Sequence, residues 1–140
     1  MINLNLKGKN ALVCGSTGGI GKASALALAE LGATVTLMAR NESKLKQTLA
    51  ELSVSQGQEH DYLVTDLSVS GAINEPIKVS LLKKDYHILI NNTGGPAPGP
   101  ALDASFNDFL AAFEMHLGSA QLLTQLLVPG MKREKYGRII

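Results

Sequence analysis

The stretch Leu12–Ala23, which reads LVCGSTGGIGKA, decides the fold that we expect for this chain. A short apolar run ends at Cys14, a glycine-rich turn follows, and an Ala- and Leu-rich segment begins at Ile20. This order predicts a buried strand, a tight turn and a helix whose amino terminus faces the turn. Because such a helix end presents free N–H groups and a positive dipole end, the stretch is typical of a phosphate-binding turn.

The spacing of the glycines narrows the kind of turn. The pattern G-x-G-x-x-G does not fit, because position 17 is not Gly, and a P-loop does not fit, because the Gly-Lys pair at 21–22 is not followed by Ser or Thr. The pattern Gly15-x-x-x-Gly19-x-Gly21 does fit. We expect Gly15 to allow the sharp turn, Gly19 to let the backbone approach a pyrophosphate, and Gly21 to let the helix pack closely on the strand. The alternative is a glycine-rich turn that binds no ligand.

Composition limits the class of protein. The chain has 140 residues, 45% of them hydrophobic, and a net charge of +1, which suggests one domain with a real core and argues against nucleic-acid binding. The single cysteine excludes an internal disulfide and suits a reducing compartment. No apolar signal core or 18-residue apolar run occurs, so we expect a cytoplasmic protein that does not enter a membrane. The histidines lack metal-ligand spacing, so we expect no metal site.

The rest of the chain repeats the strand–helix unit. Strands are predicted at 10–14, 34–38, 60–65 and 87–91, and helices at 20–31, 42–52, 75–84 and 105–127. Gly137–Ile140 begins a fifth strand, and Pro129-Gly130 should end or distort the long last helix. The alternation predicts an α/β fold, a doubly wound parallel sheet of Rossmann type that is incomplete at its C-terminal end. With the expected strand order 3-2-1-4-5, the apolar residues 88–90 would form an exposed edge.

Polar residues follow three of these strands. Arg40 comes about 20 residues beyond the turn, where an adenosine ribose binds in such folds. An acidic residue there would bind a free 2′-hydroxyl, whereas a guanidinium can bind a 2′-phosphate, so Arg40 favours NADP(H) over NAD(H); a solvated surface Arg is the alternative. Asp66 either accepts a hydrogen bond from an adenine amino group or caps a turn, and Asn91–Gly94 either lines the ligand crevice or forms an Asx turn.

Together these residues resemble the short-chain dehydrogenase/reductase family. Residues 14–21 are similar to its Thr-Gly-x-x-x-Gly-Ile-Gly cofactor motif, with Cys14 in place of Thr. Asp66-Leu67 and Asn91–Gly94 are similar to its Asp-Leu/Val and Asn-Asn-Ala-Gly motifs. Thr93–Gly99 also resembles a branch described as 3-oxoacyl-carrier-protein reductase-like.

The resemblance implies an NADP(H)-dependent oxidoreductase, acting as a homo-oligomer, that interconverts a small-molecule carbonyl and an alcohol by hydride transfer. Residues 1–140 would form its cofactor-binding domain. The predicted cofactor contacts are Gly15, Ser16, Thr17, Gly19, Ile20, Gly21, Arg40, Asn41, Asp66, Leu67, Asn92, Thr93 and Gly94.

The acid–base residues that the resemblance implies do not occur in these 140 residues. The family uses a Ser and a Tyr-x-x-x-Lys, and none of the three tyrosines is followed four residues later by Lys. His116 stands where the family has a helical Asn, and a surface His is the favoured interpretation over a group that orients a water or a lysine. We therefore predict no catalytic residue in this chain, and a non-catalytic nucleotide-binding or inert fragment is the alternative.

Overall fold

The structure, a computed structural model, describes residues 4–69 and 71–140. Within these residues it contains one parallel sheet in the order β3-β2-β1-β4-β5, which confirms the doubly wound α/β fold and the strand order predicted from the sequence. The strands are β1 Asn10–Cys14, β2 Thr34–Ala39, β3 Asp61–Val64, β4 Ile88–Ile90 and β5 Arg138–Ile139. The helices are α1 Gly19–Glu30, α2 Glu42–Glu51, α3 Asn74–Leu81, α4 Phe106–Phe113 and α5 Ser119–Arg133.

Helices cover both faces of the sheet, and the strands divide their side chains between two cores. Along β1, Ala11 and Val13 point to the face covered by α1 and α2, while Leu12 and Cys14 point to the face covered by α3 and α5. This alternation is the two-residue period of a strand. Both sets are apolar because both faces are buried, which explains the near-continuous apolar strands of the sequence.

A buried tyrosine ties α3 to the centre of the sheet. Tyr86, just before β4, is fully buried, and its hydroxyl lies 2.6 Å from Ser80 Oγ and donates to Thr36 Oγ1 at 3.1 Å. Burial raises the pKa of this phenol. Since all three hydroxyl groups are out of reach of water, each depends on the others for its hydrogen bonds.

We predict that Tyr86→Phe lowers the free energy of unfolding by about 1–2 kcal/mol, because it leaves two buried hydroxyls short of a partner. The matched control is Tyr62→Phe, whose hydroxyl donates to Glu42 at 3.0 Å on the surface. This control should cost less than about 0.5 kcal/mol. Urea unfolding of both variants measures the difference, and equal losses would contradict the role given to Tyr86.

Two histidines complete the hydrogen bonding of strand ends. The ring Nδ1 of His87 accepts from the Asn10 N–H at 2.9 Å, and that of His60 accepts from the Val35 N–H at 2.9 Å. His87 is buried, and this burial, followed by the charge of Lys9, lowers its pKa below the ordinary 6.5. Glu134 Oε2, 3.8 Å from Nε2, only partly opposes the shift.

We predict that acid weakens the fold through His87. The unfolded chain protonates this imidazole near pH 6.5, whereas the folded chain holds it neutral to a lower pH. The free energy of unfolding should therefore fall as the pH drops from 6.5 towards about 5, before carboxylates titrate. In His87→Asn, whose amide oxygen can replace Nδ1 as acceptor, this slope should disappear. Unfolding midpoints measured against pH test this, and a wild-type midpoint that stays constant across this window would refute it.

The exposed edge predicted at residues 88–90 is wrong. All three residues of β4 are buried, because β5 pairs with them: Arg138 N–H donates to the His87 carbonyl and Ile140 N–H to the Leu89 carbonyl, each at 2.9 Å. The two residues of β5 are therefore enough to cover the three residues of β4. The open edge passes instead to β5, whose Ile139 is 44% exposed.

The last helical segment is longer and less regular than predicted. A π-helical turn, Glu114–Gly118, separates α4 from α5, and α5 continues through Pro129 to Arg133. Tertiary packing explains the continuation, because Gly130 fits closely against Asp85 and Arg133 pairs with the same carboxylate at 2.7 Å. Pro129 therefore neither ends the helix nor marks its boundary.

The apolar side of α4 faces outward. Phe106, Phe109 and Phe113 are 59–75% exposed, and Leu117 in the π-helical turn is 58% exposed. The core of this chain therefore does not bury these four side chains. Among the described residues, no helix has the length and apolarity needed to cross a bilayer.

Candidate cofactor-binding site

The carboxyl ends of β1, β2, β3 and β4 open onto a groove of about 990 Å³. Parallel α/β sheets bind ligands at this edge, where the strand order reverses. Eleven of the predicted contacts line the groove: Gly15, Thr17, Gly19, Ile20, Arg40, Asn41, Asp66, Leu67, Asn92, Thr93 and Gly94. Eight further lining residues were not predicted: Gly18, Met38, Ala39, Lys44, Thr65, Ser68, Gly95 and Met115.

Three groups meet where the turn, α1 and β4 come together. A Cβ on Gly21 would lie 2.3 Å from the Gly15 carbonyl oxygen, and a Cβ on Gly15 would lie 2.6 Å from the Asn92 amide nitrogen. That amide reaches the carbonyl oxygens of Cys14 and Gly15 at 3.4 and 3.3 Å. Gly21 does not line the groove, so its part is to let α1 approach the turn.

Gly19 occupies the opposite environment. Its φ of +51° lies in the left-handed region, and nothing lies within 4 Å of the place where a Cβ would be. It begins α1, whose first turn carries no acidic residue. The N-cap of this helix is Gly18, which has no side chain to accept from the first N–H groups. The first N–H groups of a helix have no partner within it, so the start of α1 presents donors to the groove.

Ser16 is placed away from the groove, although it lies within the turn. Its side chain is fully buried and its Oγ accepts from the Met38 N–H at 3.0 Å, which ties the turn to the end of β2. Cys14, at the end of β1, is also buried, and burial raises the pKa of its thiol to about 12. Both side chains therefore pack in the core beneath the turn. Because its pKa is raised, the Cys14 thiol stays protonated at neutral pH and is not a nucleophile.

We predict that Gly21→Ala disturbs the turn. Alanine is a better helix former by about 1 kcal/mol, but its methyl group would overlap a backbone carbonyl that cannot rotate away. Overpacking of this kind costs about 1–3 kcal/mol, so the free energy of unfolding should fall. Gly99→Ala, where nothing lies within 4 Å of the new Cβ, is the control and should change stability little. A Gly21→Ala variant as stable as this control would contradict the close packing.

An arginine and an aspartate lie at the ends of β2 and β3. Arg40 is 72% exposed and its guanidinium lies 3.9 Å from Asp66 Oδ2. The other carboxylate oxygen, Oδ1, accepts from Ser68 N–H at 2.9 Å and Ser68 Oγ at 2.7 Å. These hydrogen bonds, and then Arg40, lower the pKa of Asp66. The hydrogen bonds to Ser68 show the turn that was one of the two interpretations of Asp66, and Asp66 also lines the groove.

Asn41 is the N-cap of α2. Its Oδ1 accepts from the Lys44 N–H at 2.9 Å, which places Lys44 directly above it in the first turn. Lys44 lines the groove and was missed at the level of sequence. The N-cap signal at Asn41 could have found it, since a side chain near a helix start leans back towards the amino terminus.

The far end of the groove is closed by the π-helical turn. Met115 lines the groove, and the neighbouring His116, which is exposed, hydrogen-bonds through Nδ1 to Thr93 Oγ1. The favoured interpretation of His116 as a surface residue agrees with its exposure, but the contact with Thr93 also places it beside the groove. Helical π turns often occur at functional sites.

The tyrosines do not supply an acid–base group to this groove. Tyr86 is buried in the core, Tyr62 bonds to Glu42 outside the groove, and Tyr136 stacks between Lys9 and Arg138 at 4.4 and 4.6 Å. Among the described residues, the groove lining contains no tyrosine and no group of three potential metal ligands occurs.

Comparison with known proteins agrees with this geometry. The sequence model of the family described as short chain dehydrogenase matches residues 9–140. This chain belongs to that family. The resemblance inferred from the glycine turn and the strand ends is therefore confirmed.

Relatives within the short chain dehydrogenase family are longer than this chain. Uncharacterized oxidoreductase YvaG of Bacillus subtilis (strain 168) is 37% identical over 140 residues, covering 99% of this chain and 52% of the relative. Inactive hydroxysteroid dehydrogenase-like protein 1 of Homo sapiens is 35% identical over 135 residues, covering 95% of this chain and 41% of the relative. The chain thus spans about half the length of the curated relatives that it matches.

Solved structures of the family superpose on nearly the whole chain. L-Sorbose reductase from Gluconobacter frateurii, complexed with NADPH and L-sorbose, matches with a TM-score of 0.89 and 26% identity, over 99% of this chain and 53% of that one. A 3-oxoacyl (acyl-carrier-protein) reductase from Agrobacterium tumefaciens, with NADP bound, matches with a TM-score of 0.87 and 29% identity, over 98% and 53%.

Proposed function

We propose that this chain binds NADP(H) in the groove and forms the cofactor-binding half of an oxidoreductase that interconverts a carbonyl and an alcohol. The observation that carries the proposal is the pairing of the glycine turn at β1 with a cation, Arg40, at the end of β2. The turn suits a pyrophosphate and the cation suits a phosphate on the adenosine ribose.

The residues present fit the phosphates of a dinucleotide. Gly19 leaves open space beside free helix N–H groups, and no acidic side chain stands in the first turn of α1 to repel an anion. Thr17 adds a hydroxyl to the same wall of the groove. Gly15 and Gly21 hold that wall in place through their contacts with Asn92 and with each other.

The choice of NADP(H) over NAD(H) rests on charge at the end of β2. No carboxylate follows this strand directly, and the guanidinium of Arg40 is largely exposed and free to turn towards a phosphate. Asp66 lies nearby, but its carboxylate is held by Ser68 and follows β3. The acceptor that would select an unphosphorylated ribose is therefore missing from its usual place.

In the proposed enzyme, bound NADP(H) supplies the hydride chemistry. This chain would bind and orient the cofactor through the residues that line the groove, Thr93, Gly94 and Met115 among them. The acid–base residues would come from outside these 140 residues, since the groove lining in the described part of the chain contains neither a tyrosine nor a lysine placed to move a proton at a carbonyl oxygen. The small-molecule substrate, a homo-oligomeric assembly and a cytoplasmic location belong to the same proposal, and the free buried Cys14 supports a reducing compartment.

A non-catalytic nucleotide-binding protein is the second candidate. It is favoured by the similarity to a human family member named as inactive and by the absence of Tyr-x-x-x-Lys from the sequence. Fluorescence titration with NADPH, together with absorbance assays of NADPH oxidation with simple ketones and aldehydes, separates the possibilities. We expect the 140-residue chain to bind NADPH without turnover. If turnover then begins when a separately expressed C-terminal half of a family enzyme is added, the first candidate is favoured.

We predict that Arg40→Ala weakens NADPH binding about tenfold, because a charge-assisted hydrogen bond to phosphate is lost, and leaves NADH binding unchanged. Arg138→Ala is the control, since this exposed arginine lies at the amino-terminal edge of the sheet beside Tyr136. Calorimetric titration of both cofactors gives the four affinities needed. Equal affinity of the wild-type chain for the two cofactors, or an Arg40→Ala variant with unchanged preference, would refute the proposed specificity.

A further inference from the structure

We propose that Lys44 is a second determinant of cofactor specificity, which binds the 2′-phosphate of NADP(H) together with Arg40. This inference rests on the proposed function and deepens it. Its starting point is that Lys44 lines the groove beside Arg40 and Asn41, in the first turn of α2.

The charge balance at this end of the groove depends on Lys44. Among the described residues, the charged members of the lining are Arg40, Lys44 and Asp66. Arg40 lies 3.9 Å from the Asp66 carboxylate, so the charge of Asp66 partly offsets that of Arg40. Lys44 makes no ion pair within the described part of the chain, and its ammonium is therefore the uncompensated charge that a dianionic phosphate requires.

Local geometry fixes where this ammonium can reach. The Lys44 backbone N–H donates to Asn41 Oδ1 at 2.9 Å, which fixes Lys44 in the first turn of α2, just after the end of β2. Because side chains on a helix lean towards its amino terminus, the Lys44 side chain extends back over the residues that line the groove.

The neighbouring charges of α2 point elsewhere. Glu42, in the same helical turn, is bound by Lys46 Nζ at 2.8 Å and by the Tyr62 hydroxyl at 3.0 Å. Glu42 and Lys46 line a separate depression on the outer side of α2, with Ser43, Gln47 and Ala50. Because the Tyr62 hydroxyl also holds Glu42 on the far side, Glu42 stays away from Lys44 when Lys46 is replaced, and Lys46 provides a control of the same charge on the same helix.

The test compares Lys44→Met with Lys46→Met by calorimetric titration of the full chain with NADPH and NADH at low and moderate salt. Lys44→Met should weaken NADPH binding about tenfold at low salt and change NADH binding less than about twofold. Lys46→Met should leave both affinities unchanged. Lys44→Arg, which keeps the cation, should retain the preference for NADPH. Adenosine 2′,5′-bisphosphate and AMP are titrated in parallel. The difference between their affinities measures the contribution of the 2′-phosphate without the nicotinamide ring.

The outcomes separate the two proposals. If the wild-type chain prefers NADPH and Lys44→Met behaves like Lys46→Met, Lys44 does not bind the phosphate, while the proposed function stands on Arg40. If the wild-type chain binds neither cofactor, or binds both equally, the proposed function fails and this inference fails with it. Thermal unfolding followed by circular dichroism shows that each variant is folded, which is expected because Lys44 is exposed and contributes only its backbone to the cap.

Discussion

The close approach of Gly21 to the Gly15 carbonyl oxygen is the contact on which the groove depends. It brings the start of α1 onto the turn after β1, and Asn92, at the end of β4, closes the same corner with its amide. A side chain at Gly21 would push the helix away from the turn, and one at Gly15 would collide with Asn92. The helix N–H groups would then no longer face the space that Gly19 leaves open, because their direction is set by the packing of the whole helix.

The charged side chains around the groove act in addition to this packing. In the proposed function, the backbone N–H groups of the turn, which are neutral, would donate to any phosphate, whereas the side chains at the ends of β2 and β3 would distinguish one ligand from another. Asp66 is held in its own turn by Ser68, so Arg40 meets only one of its oxygens. The same division holds in α2, where Glu42 is bound by Lys46 and Tyr62 on the outer side. On α2, Lys44 therefore lines the groove, whereas Glu42 and Lys46 pair on the outer side.

Two exposed apolar features lie in the part of the chain that follows β4. The exposed side of α4 carries three phenylalanines, and the open edge of the sheet is the two-residue strand β5. Both features belong to the part of the chain that follows β4, where the matched relatives continue for about as many residues again. The core between α1, α2 and the sheet, by contrast, is closed by Ala25, Ala29 and Leu45.

The sequence by itself determined the order of strands and helices, the parallel sheet, the glycine turn and the cation at β2. These follow from local signals: short apolar runs for the strands, longer Ala- and Leu-rich segments for the helices, and the glycine spacing of the turn. Only the tertiary structure decided that Ser16 turns inward, that Lys44 and Met115 line the groove, and that α5 continues through Pro129 against Asp85. The physical reason is that the direction of a side chain after an irregular turn, and the tolerance of a helix for proline, depend on contacts between segments far apart in the chain, which leave no local periodic signal.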